Sequence, residues 1–223
     1  MREITIAPSM LCADFRRLGE HAREVIAAGA DWLHFDIMDG RFVENLTFGP
    51  LVLAALRGET ELHFDAHLMI GSPERQLEKF AQAGADSVLI QREVLTRPAQ
   101  LLARIRSLGL QAGLVFNPAT PLEGLAAIAD QLDIVLLMTV EPGAAGQKYM
   151  PAVLPRIRHV RALLDELNPE ARVAVDGGVD HQTTPALVAA GAEILICGSY
   201  LFDHPDGLAA GIETLRAAAG DAR

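Results

Sequence analysis

Apolar residues in this chain fall into short dense runs, separated by longer stretches where they recur every third or fourth position. Eight runs rich in Val, Ile, Leu and Phe have strand length: 4–8, 32–37, 62–68, 87–90, 111–116, 134–139, 172–175 and 193–197. Dense apolarity of this kind suits strands covered on both faces, as in a parallel sheet. Helical spacing appears between them. Leu77, Phe80, Ala81 and Gly84 follow Ser72, read as an N-cap, and Pro73 in the first turn, while Leu208, Ile212, Leu215 and Ala219 form a stripe near the C-terminus. A mark repeats at the joins: Ala28-Gly29-Ala30-Asp31, Ala83-Gly84-Ala85-Asp86 and Ala190-Gly191-Ala192-Glu193, with Leu108-Gly109-Leu110-Gln111 as a weaker copy. Glycine reaches the left-handed conformation that closes a helix, so each copy predicts helix end, tight turn, strand start.

Eight strands alternating with eight helices predict an α/β chain, a single-domain (β/α)8 TIM barrel over residues 1–223. That length lies near the lower limit for the architecture, where ~250 residues is typical. An open doubly wound sheet shows the same alternation and is the competing architecture. In a closed barrel, reactive side chains come from the C-terminal ends of strands and the loops after them, which directs attention to polar residues at those places.

Composition narrows the partners. A net charge of -10 with no basic patch is unsuited to a phosphate backbone, so no nucleic-acid partner is expected. Met1 to Met10 lack the basic flank and apolar core of a signal peptide, and no stretch approaches the roughly 20 apolar residues of a membrane span. No membrane partner and a cytoplasmic location are therefore expected. Cys12 and Cys197 are the only cysteines and form no C-x-x-C pair, so they read as structural thiols.

Candidate chemistry gathers at predicted strand ends. The period of two puts His34, Asp36 and Met38 on one face of strand 2, and Asp65, His67 and Met69 on one face of strand 3, while strand 7 ends in Asp176-Gly177-Gly178. Two imidazoles and two carboxylates meeting at one mouth would suit one divalent ion, Zn²⁺ first and Fe²⁺, Mn²⁺ or Co²⁺ also. One His or Asp at a strand end commonly satisfies a neighbouring backbone group; four on three strands point to a shared ligand. Asp65 reads as a residue that orients a ligand, and His63, His159, His181 and His204 as surface or structural. Gly143-Ala144-Ala145-Gly146, Gly177-Gly178 and Gly198-Ser199 follow strands 6, 7 and 8, where backbone N–H groups of barrels often hold phosphate. Met38, Met69 and Met138, each near a strand end, form either a thioether cluster above the ion or ordinary core filling.

The chain resembles the ribulose-phosphate 3-epimerase family over nearly its whole length, through Ala7-Pro8-Ser9-Met10-Leu11, His34-Phe35-Asp36-Ile37-Met38-Asp39-Gly40, Asn45-Leu46-Thr47-Phe48-Gly49-Pro50, Asp65-Ala66-His67-Leu68-Met69, Asn117-Pro118-Ala119-Thr120-Pro121 and Val175-Asp176-Gly177-Gly178-Val179. The resemblance implies metal ligands His34, Asp36, His67 and Asp176, an acid/base pair Asp36 and Asp176, and substrate contacts from Ser9, His67 and the three methionines. It also implies ribulose-phosphate-binding-type glycine loops around the phosphate, a phosphorylated ketose substrate, and a homo-oligomer. The reaction so implied removes a proton from C3 beside a C2 ketone and returns one to the opposite face, which needs a proton carrier on each side.

Departures from the family pattern fall at Gln91, where His is common, Glu44, Glu141 and Ala144, all read as loop positions that shape the pocket. Ala145-Gly146-Gln147, Met138-Thr139-Val140 and Leu201-Phe202-Asp203-His204 are similar to the allulose-6-phosphate 3-epimerase branch, which makes a six-carbon substrate the alternative. Related decarboxylases and hexulose-phosphate synthases carry D-x-K-x-x-D at strand 2, whereas this chain reads Asp36-Ile37-Met38-Asp39. Lys79 and Lys148, its only lysines, fall on a helix and in a loop, away from any Schiff-base position. A non-catalytic sugar-phosphate-binding barrel is the third reading.

Overall fold

The computed structural model describes residues 3–221. Strands β1 (Thr5–Pro8), β2 (Trp32–Met38), β3 (His63–Met69), β4 (Ser87–Gln91), β5 (Gln111–Phe116), β6 (Ile134–Met138), β7 (Arg172–Asp176) and β8 (Ile194–Cys197) lie parallel in one sheet. Their order, β1-β8-β7-β6-β5-β4-β3-β2, brings β1 and β2 to opposite ends of the ladder. These ends meet. Ser9 bridges in parallel to His34, the Asp31 N–H donates to the Ile6 carbonyl at 3.1 Å, and the Ile6 N–H donates to the Asp31 carboxylate at 2.7 Å. The sheet thus closes into a barrel, and the open architecture does not apply.

Helices α1 (Leu18–Ala27), α2 (Pro50–Arg57), α3 (Leu77–Gln82), α4 (Pro98–Ser107), α5 (Leu154–Leu167), α6 (Thr184–Ala189), α7 (Ser199–Phe202) and α8 (Leu208–Asp221) surround it. The glycines of the repeated mark sit at positive φ as predicted, with Gly29 at 84°, Gly84 at 86°, Gly109 at 82° and Gly191 at 108°. Two expectations need correction. Helices do not alternate one per strand, because the β5–β6 connection carries a 3-10 stretch, Ala126–Gln131, and both α7 and α8 follow β8. Pro118, Pro121 and Gly124 leave that connection little uninterrupted helical sequence, and the Asn168 side-chain amide donates to the Ala129 and Leu132 carbonyls at 2.9 and 2.8 Å. Nor does the Ser72 side chain cap a helix: the Arg75 N–H donates to the Ser72 backbone carbonyl, Pro73–Arg75 form one 3-10 turn, and α3 starts at Leu77.

Alternation along the strands divides the interior. Leu33, Phe35, Ile37, Phe64 and Leu68 face the helices in the main core, whereas Ala7, Leu89, Val115, Leu136, Ala174 and Ile196 fill the barrel centre. On β2 and β3 the inner face carries polar groups instead, and on β4 Ser87 and Gln91 flank the inward Leu89. Trp32 stacks on His63 with ring centroids 3.8 Å apart, His63 Nε2 lies 2.8 Å from the Ser87 hydroxyl, and that hydroxyl donates to Asp65. This ladder rises toward the C-terminal mouth. No helix among the described residues is long and apolar enough to cross a membrane.

Candidate metal centre and active site

Parallel register sets the neighbours at the mouth: His34 stands beside Asp65, Asp36 beside His67, Met38 beside Met69, and Met138 beside Asp176. A slip of one residue would turn this whole set toward the helices, so the buried Leu33-Phe35-Ile37 face of β2 also fixes where its polar face points. His34, Asp36, His67 and Asp176 each offer one ligand atom, and these atoms lie within 4.8 Å of one another. Asp36 Oδ1 is 3.3 Å from His34 Nε2 and 3.1 Å from His67 Nδ1, and Asp176 Oδ2 is 4.0 Å from His67 Nδ1.

Each member has an outside partner. His34 Nδ1 is 2.7 Å from Asp65, which places Asp65 where it orients the ring. Ser9, expected against the substrate, donates its hydroxyl to Asp36 Oδ2 at 2.5 Å. The Thr47 hydroxyl donates to the Asp36 carbonyl at 2.6 Å, and the Thr139 hydroxyl donates to the Asp176 carbonyl at 2.9 Å, so both acidic strand ends are pinned from neighbouring loops.

The protein groups pull the two carboxyls apart. Burial works against the ionised form of Asp36, but His34 and His67 outweigh it and hold that carboxyl well below the usual range. Burial and then the Asp36 charge push Asp176 up to about 7. His34 loses charge stability to burial yet gains more from Asp36 and Asp65, and its pKa rises well above the ordinary imidazole value. A divalent cation fits this set: two nitrogens and two carboxylates converge, and among the described residues no Lys or Arg lines the cavity to balance the negative charge.

The cavity above the cluster is lined by Ser9, Asp36, Met38, Met69, Met138 and Asp176. Gly143, Ala144, Ala145, Gly146, Gly177, Gly178, Gly198 and Ser199 border the same space, while His34 and His67 lie fully buried in the barrel. Gly178 has φ 61°, and a Cβ there would stand 2.5 Å from the Tyr149 backbone nitrogen, so the turn admits only glycine without strain. Loop 139–150 is tied down by Gln147, whose amide donates to the Glu141 carbonyl at 2.6 Å and the Ala144 carbonyl at 3.0 Å, and by Asn45, which donates to the Gly143 carbonyl at 2.5 Å.

Gln91 is not in a loop: it ends β4, is fully buried, and its amide nitrogen lies 2.9 Å from His67 Nε2. The alternation Ser87, Leu89, Gln91 carries that signal, but the apolar run stops at Ile90, one residue short of the strand end. Thr139, Asn45 and Gln147 as loop anchors have no periodic signature to find them. His63 is a structural member of the interior ladder, as expected. Burial, then Asp36 and Asp176, pushes the Cys12 thiol up to about 12, and the buried Cys197 thiol donates to the Val179 carbonyl at 3.0 Å, in keeping with structural cysteines.

Fold and mouth together define a class: a (β/α)8 barrel whose His₂Asp₂ cluster could hold a metal ion beside loops lined by glycine. The sequence model described as the ribulose-phosphate 3 epimerase family matches residues 5–202, and the chain belongs to that family. A ribulose-phosphate 3-epimerase of Synechocystis sp. is 45% identical over 207 residues, covering 92% of this chain and 90% of the relative. Those of Escherichia coli and Bacillus subtilis are 45% and 43% identical, covering 92% and 91% of this chain and 92% and 94% of their own. Among solved structures, a tryptophan synthase subunit from Pyrococcus furiosus superposes with TM-score 0.71 at 15% identity, over 97% of this chain and all of its own. Thiamine phosphate pyrophosphorylase from the same organism gives 0.65 at 15%, over 99% and 96%. At such identity these two share the fold alone.

Proposed function

We propose that the protein is a metal-dependent ribulose-phosphate 3-epimerase that interconverts D-ribulose 5-phosphate and D-xylulose 5-phosphate. The observation that carries this reading is the pairing of Asp36 with Asp176: they come from strands separated in the barrel by β8 and β1, join one cluster, and sit in environments that drive their protonation in opposite directions. Membership of the family and relatives named for that reaction support the substrate, and the six-carbon alternative gains nothing from them.

Inversion at C3 needs a base on one face of the planar anion and an acid on the other. The imidazoles beside Asp36 favour its ionised form and suit it to take the C3 proton, while burial and the neighbouring Asp36 charge favour the protonated form of Asp176 and suit it to return one; the reverse reaction exchanges the roles. A divalent ion held by His34, Asp36, His67 and Asp176, Zn²⁺ first and Fe²⁺, Mn²⁺ or Co²⁺ by the same donors, would supply the positive charge that makes an enediolate tolerable. Ser9 holds one oxygen of Asp36 and leaves the other toward the imidazoles. Met38, Met69 and Met138 give the reacting carbons an apolar, water-poor wall, and the N–H groups of residues 143–146, 177–178 and 198–199 receive the phosphate.

Asp36→Asn and Asp176→Asn, assayed separately for conversion of ribulose 5-phosphate to xylulose 5-phosphate, should each lose about 10³-fold or more in kcat, since positioned acid–base groups contribute roughly 10²–10⁴. Near-native turnover by either variant would refute the two-carboxylate scheme.

A further inference from the structure

His67 sits between two different kinds of partner. Its Nδ1 faces Asp36 and Asp176 at 3.1 and 4.0 Å, while its Nε2 meets the side-chain amide of Gln91 at 2.9 Å, and both residues are fully buried. A neutral imidazole carries one hydrogen, so the two sides are linked. With that hydrogen on Nδ1, the ring donates to Asp36, Nε2 accepts from the Gln91 NH₂, and no lone pair faces the carboxylates. The amide stands in this orientation, and in it Gln91 Oε1 is buried with no hydrogen-bond partner among the described residues. With the hydrogen on Nε2, the ring needs an acceptor there, and the Gln91 amide turned by 180° supplies its oxygen; Nδ1 then presents a lone pair to the cluster. The oxygen and nitrogen of an amide occupy nearly the same space, so the exchange needs no change in packing.

We infer that Gln91 is the positioning residue for His67, an amide that serves either tautomer of the ring and, with its oxygen turned to Nε2, makes Nδ1 a ligand for a divalent cation. This rests on the metal-centre reading above. It differs from the arrangement at His34, where the carboxylate of Asp65 accepts from Nδ1–H and so fixes Nε2 as the ligand atom. One imidazole is therefore permanently set by an acceptor, and the other is set by an amide that must turn.

Two measurements on the full chain test it. Zn²⁺ affinity by competition with a chelator should fall about 10–100-fold in Gln91→Met, which keeps the volume and removes the acceptor, and should be kept or tightened in Gln91→Glu, which can only accept. Independently, imidazole ¹⁵N spectra of the unsubstituted protein should show His67 with its hydrogen on Nδ1 after chelation and on Nε2 after Zn²⁺ is added. Native-like Zn²⁺ affinity in a folded Gln91→Met, or a His67 tautomer that does not move with Zn²⁺, overturns the inference while the metal centre stands. Failure of the unsubstituted protein to take up any divalent ion removes both.

Discussion

A carboxyl surrounded by other acids and shut away from water holds its proton, and Asp176 is such a group, pushed up to about 7 by burial first and by Asp36 second. Its ordinary unfolded value is ~3.9, so the folded chain binds this proton more tightly than the unfolded one. The resulting contribution favours the fold at acid pH, fully so below about pH 4, and is lost as pH rises through about 7. Asp36 has the opposite sign: its pKa is depressed, and its contribution is present above the unfolded value and lost as pH falls through the folded one. After chelation, Asp176→Asn should melt at a higher temperature than the unsubstituted protein at pH 8, with the difference closing toward pH 5. A variant that melts lower at pH 8 in a thermal scan would contradict the assigned environment. At this scale the sequence was legible wherever alternation along one strand placed side chains, as at His34, Asp36 and Met38 or Asp65, His67 and Met69. It was not legible where a partner comes from another element, and so Gln91 could be seen as a departure but not as the neighbour of His67.

Among the elements, two glycines separate backbone conformation from close approach. Gly29 ends α1 at φ 84° with open space where a Cβ would stand, whereas Gly178, at φ 61°, would drive a Cβ to 2.5 Å from the Tyr149 nitrogen. Gly29→Ala should therefore cost about 1–2 kcal/mol, the left-handed penalty alone, and leave turnover intact. Gly178→Ala should cost more, about 2–4 kcal/mol, and raise KM for a phosphorylated ketose, because the loop over the cavity must move. Urea denaturation and steady-state kinetics on the pair check this; equal destabilisation with unchanged KM would show that the turn has no part in the site. The helix-closing glycines and strand runs were readable because each is a local matter of conformation and burial. The 3-10 stretch at Ala126–Gln131 was not, since Asn168, distant in sequence, satisfies the carbonyls there.

For the molecule as a whole, closure of the sheet was the question that alternation could not answer, because open and closed sheets use the same units; the Ser9–His34 bridge and the Asp31 hydrogen bonds answer it. Closure brings Asp36 and Asp176 to one mouth, in a chain of net charge -10 whose cavity is lined, among the described residues, by no Lys or Arg. On the proposed reading, an anionic sugar phosphate would find its positive charge in backbone N–H groups and in a cation held by the cluster. The most direct measurement is NMR of ribulose 5-phosphate with the protein in D₂O. Deuterium should enter at C3 as xylulose 5-phosphate forms, and both should stop on chelation and return with a divalent ion. Epimer formed without deuterium at C3, or at the same rate in the chelated protein, would contradict a metal-assisted exchange between opposed carboxyls.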